Sequence, residues 1–302
     1  MWDGDGAWRD AKTLVTLPPV EKKCARLLAA AAVFSQKAKE DSSAQESPLT
    51  SEVMRLTRAE GKTSTVDLLH KCVDAAGANV VHVSSRKGDL AGLDCVVQLD
   101  SSVIHSGDFR NVAPLSLAAW CGHTHVVDYL LRKGADVNKR DDYGVGALHK
   151  AVGHNNLKTV IRIVSDGGCD VNLPIGAIHE SVPSAYGAQS KRQTALHVAC
   201  RRDNEGDSGG GTSNADPRMV AALLRHGADP NAIDVNGQTP LHHAVHACDC
   251  ATVRLLTRAG ASIHVLDARN QTPHDLLRKR DLSDTACNKG LLVDILKTRG
   301  AV

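Results

Sequence analysis

The strongest constraint on this chain is a segment length that recurs along it. The segment "NGQTPLHHAV" at 236–245 is echoed by "RNQTPHDLLR" at 269–278, so that Thr239 and Thr272 lie 33 residues apart. The same offset relates "NVAPLSLAAWCGH" at 111–123 to "GVGALHKAVGHNN" at 144–156. This period predicts one small structural unit repeated in a row, with each unit completing its apolar core against its neighbours.

A further copy, "KRQTALHVACRRD", is 48 residues from the copy before it and 45 residues from the copy after it. Two stretches rich in Gly, Ser and Pro account for the surplus, at about 173–188 and 203–216. Such composition is typical of surface loops. We therefore expect two loop insertions in an otherwise regular array.

The second halves of the copies also agree, as "HVVDYLLRKGADVN" (125–138) and "RMVAALLRHGADPN" (218–231) show. With T-P-L-H openings, G-A-D closings and a 33-residue period, the chain resembles the ankyrin-repeat family. The resemblance implies an all-α solenoid of about six helix-pair repeats with hairpin loops, clear over 108–302 and preceded by a degenerate cap at about 77–107. We assign 63–302 to this domain.

The residue chemistry agrees with that fold. Thr before Pro, as at Thr239, provides a helix N-cap followed by a proline at the first turn, where its missing N–H costs nothing. Glycines after the second helix, such as Gly134 and Gly227, can adopt the left-handed conformation that ends a helix. Aspartates open the predicted hairpins, namely Asp108, Asp141, Asp234 and Asp267.

The stretch "TPLHHAVHACDC" (239–250) raises the question of a metal site, because His242 and His246 are four residues apart, as helical zinc ligands are. His242 occupies the repeat position of His149 and His197. The resemblance implies that this histidine is structural and links neighbouring loops by hydrogen bonds. No closed set of four ligands is apparent, so we expect neither a metal nor a cofactor.

Composition narrows the functional classes. The net charge of +2 gives no reason to expect nucleic acid or a membrane as partner. The nine cysteines form no framework of spacings and the N-terminus lacks a signal-peptide pattern, which predicts free thiols and a cytoplasmic location, with the nucleus also possible. The longest apolar run, "LLAAAAVF", is far shorter than the roughly 20 residues that span a bilayer.

Residues 1–62 form a predicted N-terminal extension, with a helix at about 20–40 and a linker at 41–51. The helix carries Leu27, Leu28, Ala31 and Phe34 on one side. It could dock a partner or a membrane surface, or pack on the end of the repeats. We favour packing on the repeats, since the helix has no tryptophan anchor and few bulky apolar residues.

No catalytic constellation is present: the sequence has no G-x-S-x-G, P-loop, H-E-x-x-H or C-x-x-C motif. An enzyme would need an unrecognised catalytic segment within residues 1–76, which are short and rich in linker sequence. We expect that the protein is not an enzyme.

The resemblance also implies a partner-binding groove, lined by positions 2, 3, 5, 13 and 14 counted from each opening aspartate. Aromatic residues fall at its N-terminal end and basic residues toward its C-terminal end, where an acidic or phosphorylated protein segment could bind. The insertion at 203–216 is acidic and could compete for these arginines or be a passive loop. The predicted groove residues are Phe109, Arg110, Trp120, Asp142, Tyr143, His154, Lys191, Arg201, Arg202, Asn236, His246, Arg269, Lys279 and Arg280.

These features predict a non-enzymatic adaptor or scaffold that binds a protein partner, with no small-molecule substrate. A second hypothesis is the substrate-recognition subunit of a ubiquitin ligase, because residues 215–277 are similar to the C-terminal repeats of the Fem substrate receptors.

Overall fold

The computed structural model describes residues 19–32, 47–176, 192–201 and 216–279. They belong to two compact units, divided between Asp141 and Asp142. In these ranges the regular structure is helical, and an isolated antiparallel bridge joins Val73 and Asn79. The all-α fold class is confirmed.

The described residues of unit 1, which ends at Asp141, form a three-helix extension followed by two helix pairs. A 3-10 turn at Ser101–His105 follows the first pair. The helices are α1 (Pro19–Ala32), α2 (Pro48–Glu60), α3 (Lys62–Lys71), α4 (Val80–Lys87), α5 (Leu90–Leu99), α6 (Pro114–Trp120) and α7 (Thr124–Arg132).

The extension continues the stack of unit 1 on the side of its degenerate first repeat. Helix α1 packs on α4, and α4 packs on α6; helix α2 packs on α5. The side chains of Leu27, Leu28 and Ala31 are buried at this contact. The hypothesis that the N-terminal helix packs on the end of the repeats agrees with this arrangement. The predicted course of that helix beyond residue 32 lies outside the described residues.

The linker predicted at 41–51 is wrong at its C-terminal end, because α2 begins at Pro48. The Ser47 side chain accepts a hydrogen bond from the Leu49 N–H and so caps this helix. Ser followed by Pro is typical of both a linker and a helix start. The burial of Leu49, Val53 and Leu56 decides for the helix.

The expectation of free thiols is wrong for two cysteines. Cys24 in α1 and Cys72 at the end of α3 form a disulfide, with their Cα atoms 4.9 Å apart. They are separated by 48 residues in sequence, so only the packing of α1 against α3 brings them together. The other cysteines of the described part are thiols, namely Cys95, Cys121, Cys169, Cys200, Cys248 and Cys250.

The described residues of unit 2, which starts at Asp142, form three helix pairs and the first helix of a fourth. The first helices of successive repeats pack on one another, and so do the second helices. The helices are α8 (Ala147–Gly153), α9 (Leu157–Val164), α10 (Ala195–Cys200), α11 (Pro217–Arg225), α12 (Pro240–His246), α13 (Cys250–Arg258) and α14 (Pro273–Lys279).

The hairpins share one set of hydrogen bonds. The Asp234 carboxylate accepts from the backbone N–H groups of Asn236 and Gln238, at 2.8 and 2.9 Å. Asp74, Asp108 and Asp267 make the same pair of bonds two and four residues ahead. The residue three positions after the aspartate has a positive φ, which favours Gly or Asn. These residues include Gly77, Asn111, Gly237 and Asn270.

The first insertion lies inside a hairpin and not before it. The Ile175 N–H donates to Gln193 O at 2.7 Å and the Arg192 N–H donates to Ile175 O at 2.5 Å, the pattern that an opening aspartate makes elsewhere. Arg192 takes the positive-φ position, with φ 66. The boundary predicted at 173 is therefore wrong, because Leu173 to Gly176 still follow the repeat. The insertion enters and leaves at the hairpin tip.

The second insertion also ends earlier than predicted. Asp216 caps α11, because its side chain accepts a hydrogen bond from the Arg218 N–H. The remaining residues of the insertion, 203–215, lie outside the described residues.

Buried histidines join neighbouring hairpins. Nε2 lies 3.0 Å from Val112 O for His82, 3.1 Å from Gln238 O for His197 and 3.2 Å from Gln271 O for His242. A carbonyl oxygen only accepts, so Nε2 carries the proton. Nδ1 accepts from the backbone N–H of Thr194 in the case of His197 and of Thr239 in the case of His242. His242 is thus a structural residue of the repeat.

Because these histidines are buried and neutral, we expect the stability of the fold to decrease in acid. Burial lowers the pKa of His82 and His242, and lowers the pKa of His197 to about 4, with a further contribution from His243. The unfolded chain binds protons near pH 6.5 while the folded chain does not, so the free energy of unfolding falls as pH decreases from about 6.5 to 4. Each histidine contributes at most about 1.4 kcal/mol per pH unit. Urea titrations across this range measure the loss.

The variant His197→Gln is expected to be less stable than the native chain at pH 7.5 but to lose less stability on acidification. The exposed His264 provides the matched control, and His264→Gln should leave the stability at pH 7.5 unchanged. A stability that is constant from pH 7 to 4.5 would contradict the assignment of neutral, buried histidines.

Candidate protein-interaction surfaces

The most exposed aromatic side chain in the described part of unit 1 lies on a hairpin that neighbouring backbone holds in place. Phe109 follows the opening Asp108 and is 72% exposed. Its N–H donates to Ala76 O at 3.0 Å, across to the preceding hairpin. Its ring lies against Gly77, where a Cβ atom would come within 2.6 Å of Phe109 Cγ. A glycine is needed here both for this close approach and for φ 77.

Trp120 is the last residue of α6 and is 40% exposed. The next residue, Cys121, is close to two cations. Burial raises the pKa of the Cys121 thiol, and the charges of Arg86 and Lys87 act in the opposite direction. The ends of α4 and α6 therefore bring basic and aromatic side chains together in unit 1.

We call Arg86, Lys87, Phe109, Arg110 and Trp120 the aromatic–cationic surface. Arg110 is exposed, and its N–H donates to the Asp108 carboxylate, which orders the hairpin. Sequence reasoning placed Phe109, Arg110 and Trp120 on a partner-binding face but missed Arg86 and Lys87. The signal was available, because these two residues are positions 13 and 14 counted from Asp74, which opens the degenerate repeat.

In unit 2 the predicted groove residues are less uniform. Asn236, His246 and Arg269 are exposed. A second group is half-buried, namely Asp142, Tyr143, His154 and Arg201. Burial, followed by the charge of Lys150, lowers the pKa of His154. Lys191, Arg202 and Arg280 lie outside the described residues, as does the side chain of Lys279. A basic C-terminal end of the groove stays a prediction.

Unit 2 instead exposes aliphatic side chains on two adjacent hairpins. Ile233, Val235 and Leu266 are 50%, 48% and 54% exposed. Ile233 and Val235 flank the buried Asp234, and the Ala268 N–H donates to Asn236 O at 2.8 Å, which links the two hairpins. Val235 is at position 2 from its opening aspartate and so falls on the predicted groove. The position count leaves out Ile233 and Leu266, because exposure of the residue before an aspartate depends on the hairpin geometry.

The polar side chains below this hairpin are hydrogen-bonded to one another or to the backbone. His243 Nε2 lies 3.1 Å from Asp234 Oδ2, and the His243 ring meets that of His197 edge-on. Burial raises the pKa of Asp234. Hydrogen bonds from His243 and from the Gln238 and Asn236 N–H groups lower it by more than burial raises it, so the net pKa is below the ordinary value. Asp234 is thus a carboxylate that organises the hairpin.

Neither a metal site nor a membrane span is found where the structure describes the chain. No group of three His, Cys, Asp or Glu side chains in the described ranges could hold a metal ion. Within the same ranges, no helix has both the length and the apolar character required to cross a bilayer.

Comparison with known proteins agrees with the repeated helix pairs and hairpins. A family model described as "Ankyrin repeats (3 copies)" matches residues 81–175 and 176–267, which is more than half of the chain. The chain belongs to the ankyrin-repeat family. Such repeats typically form interaction domains that have no enzymatic activity of their own.

Similar proteins share the repeats across diverse full-length chains. The palmitoyltransferase AKR1 of Lachancea kluyveri is 27% identical over 203 residues, which cover 66% of this ankyrin-repeat chain and 24% of AKR1. The E3 ubiquitin-protein ligase KEG of Arabidopsis thaliana is 23% identical over 284 residues, covering 73% of the chain and 17% of KEG. The chain thus spans a quarter or less of the length of these two relatives.

The crystal structure of the ankyrin repeat domain of Bcl-3, a member of the IkappaB protein family, shares the fold. The two superpose with a TM-score of 0.60 at 20% identity, covering 85% of this chain and 100% of the Bcl-3 domain. This likeness supports the fold alone.

The contact between Phe109 and Gly77 can be tested with Gly77→Ala. The added methyl group must displace the Phe109 ring, and the positive φ adds a cost of about 1 kcal/mol to the free energy of folding. The matched control is Gly134→Ala, which has φ 88 but no atom within 4 Å of the new Cβ. Both variants should lose similar stability. Only Gly77→Ala should move the ring resonances of Phe109.

The chain has two phenylalanines, so NMR with labelled phenylalanine gives two sets of ring resonances, and a Phe34→Leu variant identifies the set of Phe109. Unchanged Phe109 resonances in Gly77→Ala would contradict the described position of the ring.

Proposed function

We propose that this protein is a non-enzymatic ankyrin-repeat scaffold and that the aromatic–cationic surface of unit 1 binds a partner protein. The observation that carries the proposal is the exposure of Phe109 and Trp120, at 72% and 40%, in a chain with only eight aromatic residues. Exposed aromatic side chains are among the residue types that dominate interface hot spots.

The backbone around these side chains supports binding at low entropic cost. Phe109 follows a carboxylate-ordered turn and is tied to Ala76, and Trp120 ends a helix that packs on α4. A partner therefore meets side chains whose backbone is already ordered, which reduces the conformational entropy that binding must overcome.

The cations indicate what the partner carries. Lys87 and Arg110 have no ion pair in the described residues, and Arg86 lies on the same helix end. Arginine binds carboxylates and phosphates through paired N–H donors. We infer that the partner segment presents an apolar or aromatic side chain next to acidic or phosphorylated residues.

A role as a ubiquitin-ligase subunit is an alternative within the same binding function. The likeness to KEG covers 17% of that ligase, and ankyrin repeats are shared by proteins with many roles. The identity of the captured partner decides between the two, because a ligase subunit would bring other ligase components with it.

The test compares the native chain with Phe109→Ala/Trp120→Ala in quantitative capture of partners from cells, followed by affinity measurement with each purified partner. Loss of two aromatic hot spots should weaken binding by at least about 30-fold. The matched control is Met54→Ala, which removes a side chain that is 56% exposed on α2. Partners that bind all three proteins equally would contradict the proposed surface.

The charge preference has its own test. Lys87→Glu/Arg110→Glu should weaken binding at low salt, and the difference from the native chain should shrink as salt rises. The control pair, Lys62→Glu/Lys71→Glu, changes the net charge equally at two exposed residues, one at each end of α3. If both pairs of substitutions weaken binding equally, the partner does not contact Lys87 and Arg110 specifically.

A further inference from the structure

The N-terminal helix is joined to the rest of unit 1 by a covalent bond, whereas the other described cysteines are thiols. Cys24 of α1 is bonded to Cys72, and no other cysteine in the described ranges forms a disulfide. A protein that relies on disulfides to replace a small core pairs its cysteines more completely than this. A single bond at the end of a repeat array points instead to a local task.

The bond closes the contact between α1 and its neighbours near the start of the helix. Cys24 is half-buried, and Cys72 is 1% exposed. The adjacent Lys23 forms an ion pair with Glu60 at 2.5 Å, with side chains 32% and 23% exposed. An ion pair with that exposure contributes little to stability. The covalent bond is therefore the stronger tie at this end of α1.

Helix α4, on which α1 packs, buries two hydroxyl groups at positions where α6 has only methyl groups. The hydroxyl groups of Ser84 and Ser85 in α4 are buried, and neither has a hydrogen-bond partner among the described residues. The equivalent positions in α6 are Ala118 and Ala119. A buried hydroxyl without a partner lowers the stability of the folded state. The helix on which α1 packs therefore carries a local cost to the stability of the folded state.

We propose that the Cys24–Cys72 disulfide is a thiol-exchange site whose reduction loosens α1 from the first repeat. A low-molecular-weight thiol, as its thiolate, attacks the more accessible Cys24 sulfur; the S–S bond breaks and Cys72 leaves as a thiolate that takes a proton. A second thiol attacks the mixed disulfide and releases Cys24 as a thiol. Two electrons and two protons reduce the protein, and the reagent leaves as its own disulfide.

Reduction lets α1 open locally while the repeats stay folded. The opened state exposes the apolar side of α4, whose Val80 and Val83 are otherwise 1% exposed, together with Leu27 and Leu28 of α1. The redox state would in this way set how far this apolar surface is exposed at the start of the array.

The experiment uses the full chain, equilibrated with oxidised or with reduced glutathione. Peptide mapping without reductant should recover a linked pair of peptides containing Cys24 and Cys72 from the oxidised sample. Hydrogen exchange should then be at least about tenfold faster over 19–32 in the reduced sample, because the bond closes a loop with a sequence separation of 48. Exchange over 240–246 should not change.

Two variants separate this bond from general effects of reductant. Cys24→Ser/Cys72→Ser should exchange rapidly over 19–32 in both conditions. Cys95→Ser/Cys121→Ser removes two free thiols and should respond like the native chain. Recovery of Cys24 and Cys72 as separate thiols after oxidation, or equal exchange over 19–32 in the two redox states of the native chain, would overturn the proposal.

Discussion

A hydrogen bond from a buried histidine ring to the carbonyl of the following hairpin underlies the rest of this structure. The ring of His242 receives the Thr239 N–H at one nitrogen and reaches Gln271 O with the other, and His197 does the same between Thr194 and Gln238. One side chain therefore caps its own helix and fixes the next hairpin. Because both contacts require a neutral ring, burial that lowers the histidine pKa also preserves the bond.

The ordering of the hairpins has a functional consequence. Each opening aspartate satisfies backbone donors that would otherwise remain unpaired, and the histidine fixes the end of the same loop. The side chains between these two anchors need no structural role and are free to vary. In unit 1 they present Phe109 and Arg110, and in unit 2 they present Val235 and Asn236.

Sequence reasoning succeeded where a local motif determines the structure. The 33-residue register and the structural role of His242 both depend on motifs of residues close in sequence. It failed where packing decides. The pairing of Cys24 with Cys72 spans three helices. The helix that begins at Pro48 is not predicted from the sequence, because its first residues suit a linker as well as a helix start.

The same distinction applies to the candidate site. Arg86 and Lys87 could have been found by extending the position count to the degenerate repeat, whereas the half-burial of Tyr143 and His154 depends on neighbouring side chains. The first insertion shows the limit most clearly. Ile175 has no carboxylate but takes the place of an opening aspartate, and only its backbone hydrogen bonds reveal the register.

The most direct test of the histidine bonds is a nitrogen–proton NMR spectrum of the imidazole rings at pH 7. For His197 and His242 we predict neutral rings with the proton on Nε2 and an unprotonated Nδ1. The Nε2 proton should exchange slowly with water. Rings protonated on Nδ1, or Nε2 protons that exchange as fast as those of the exposed His264, would contradict the account.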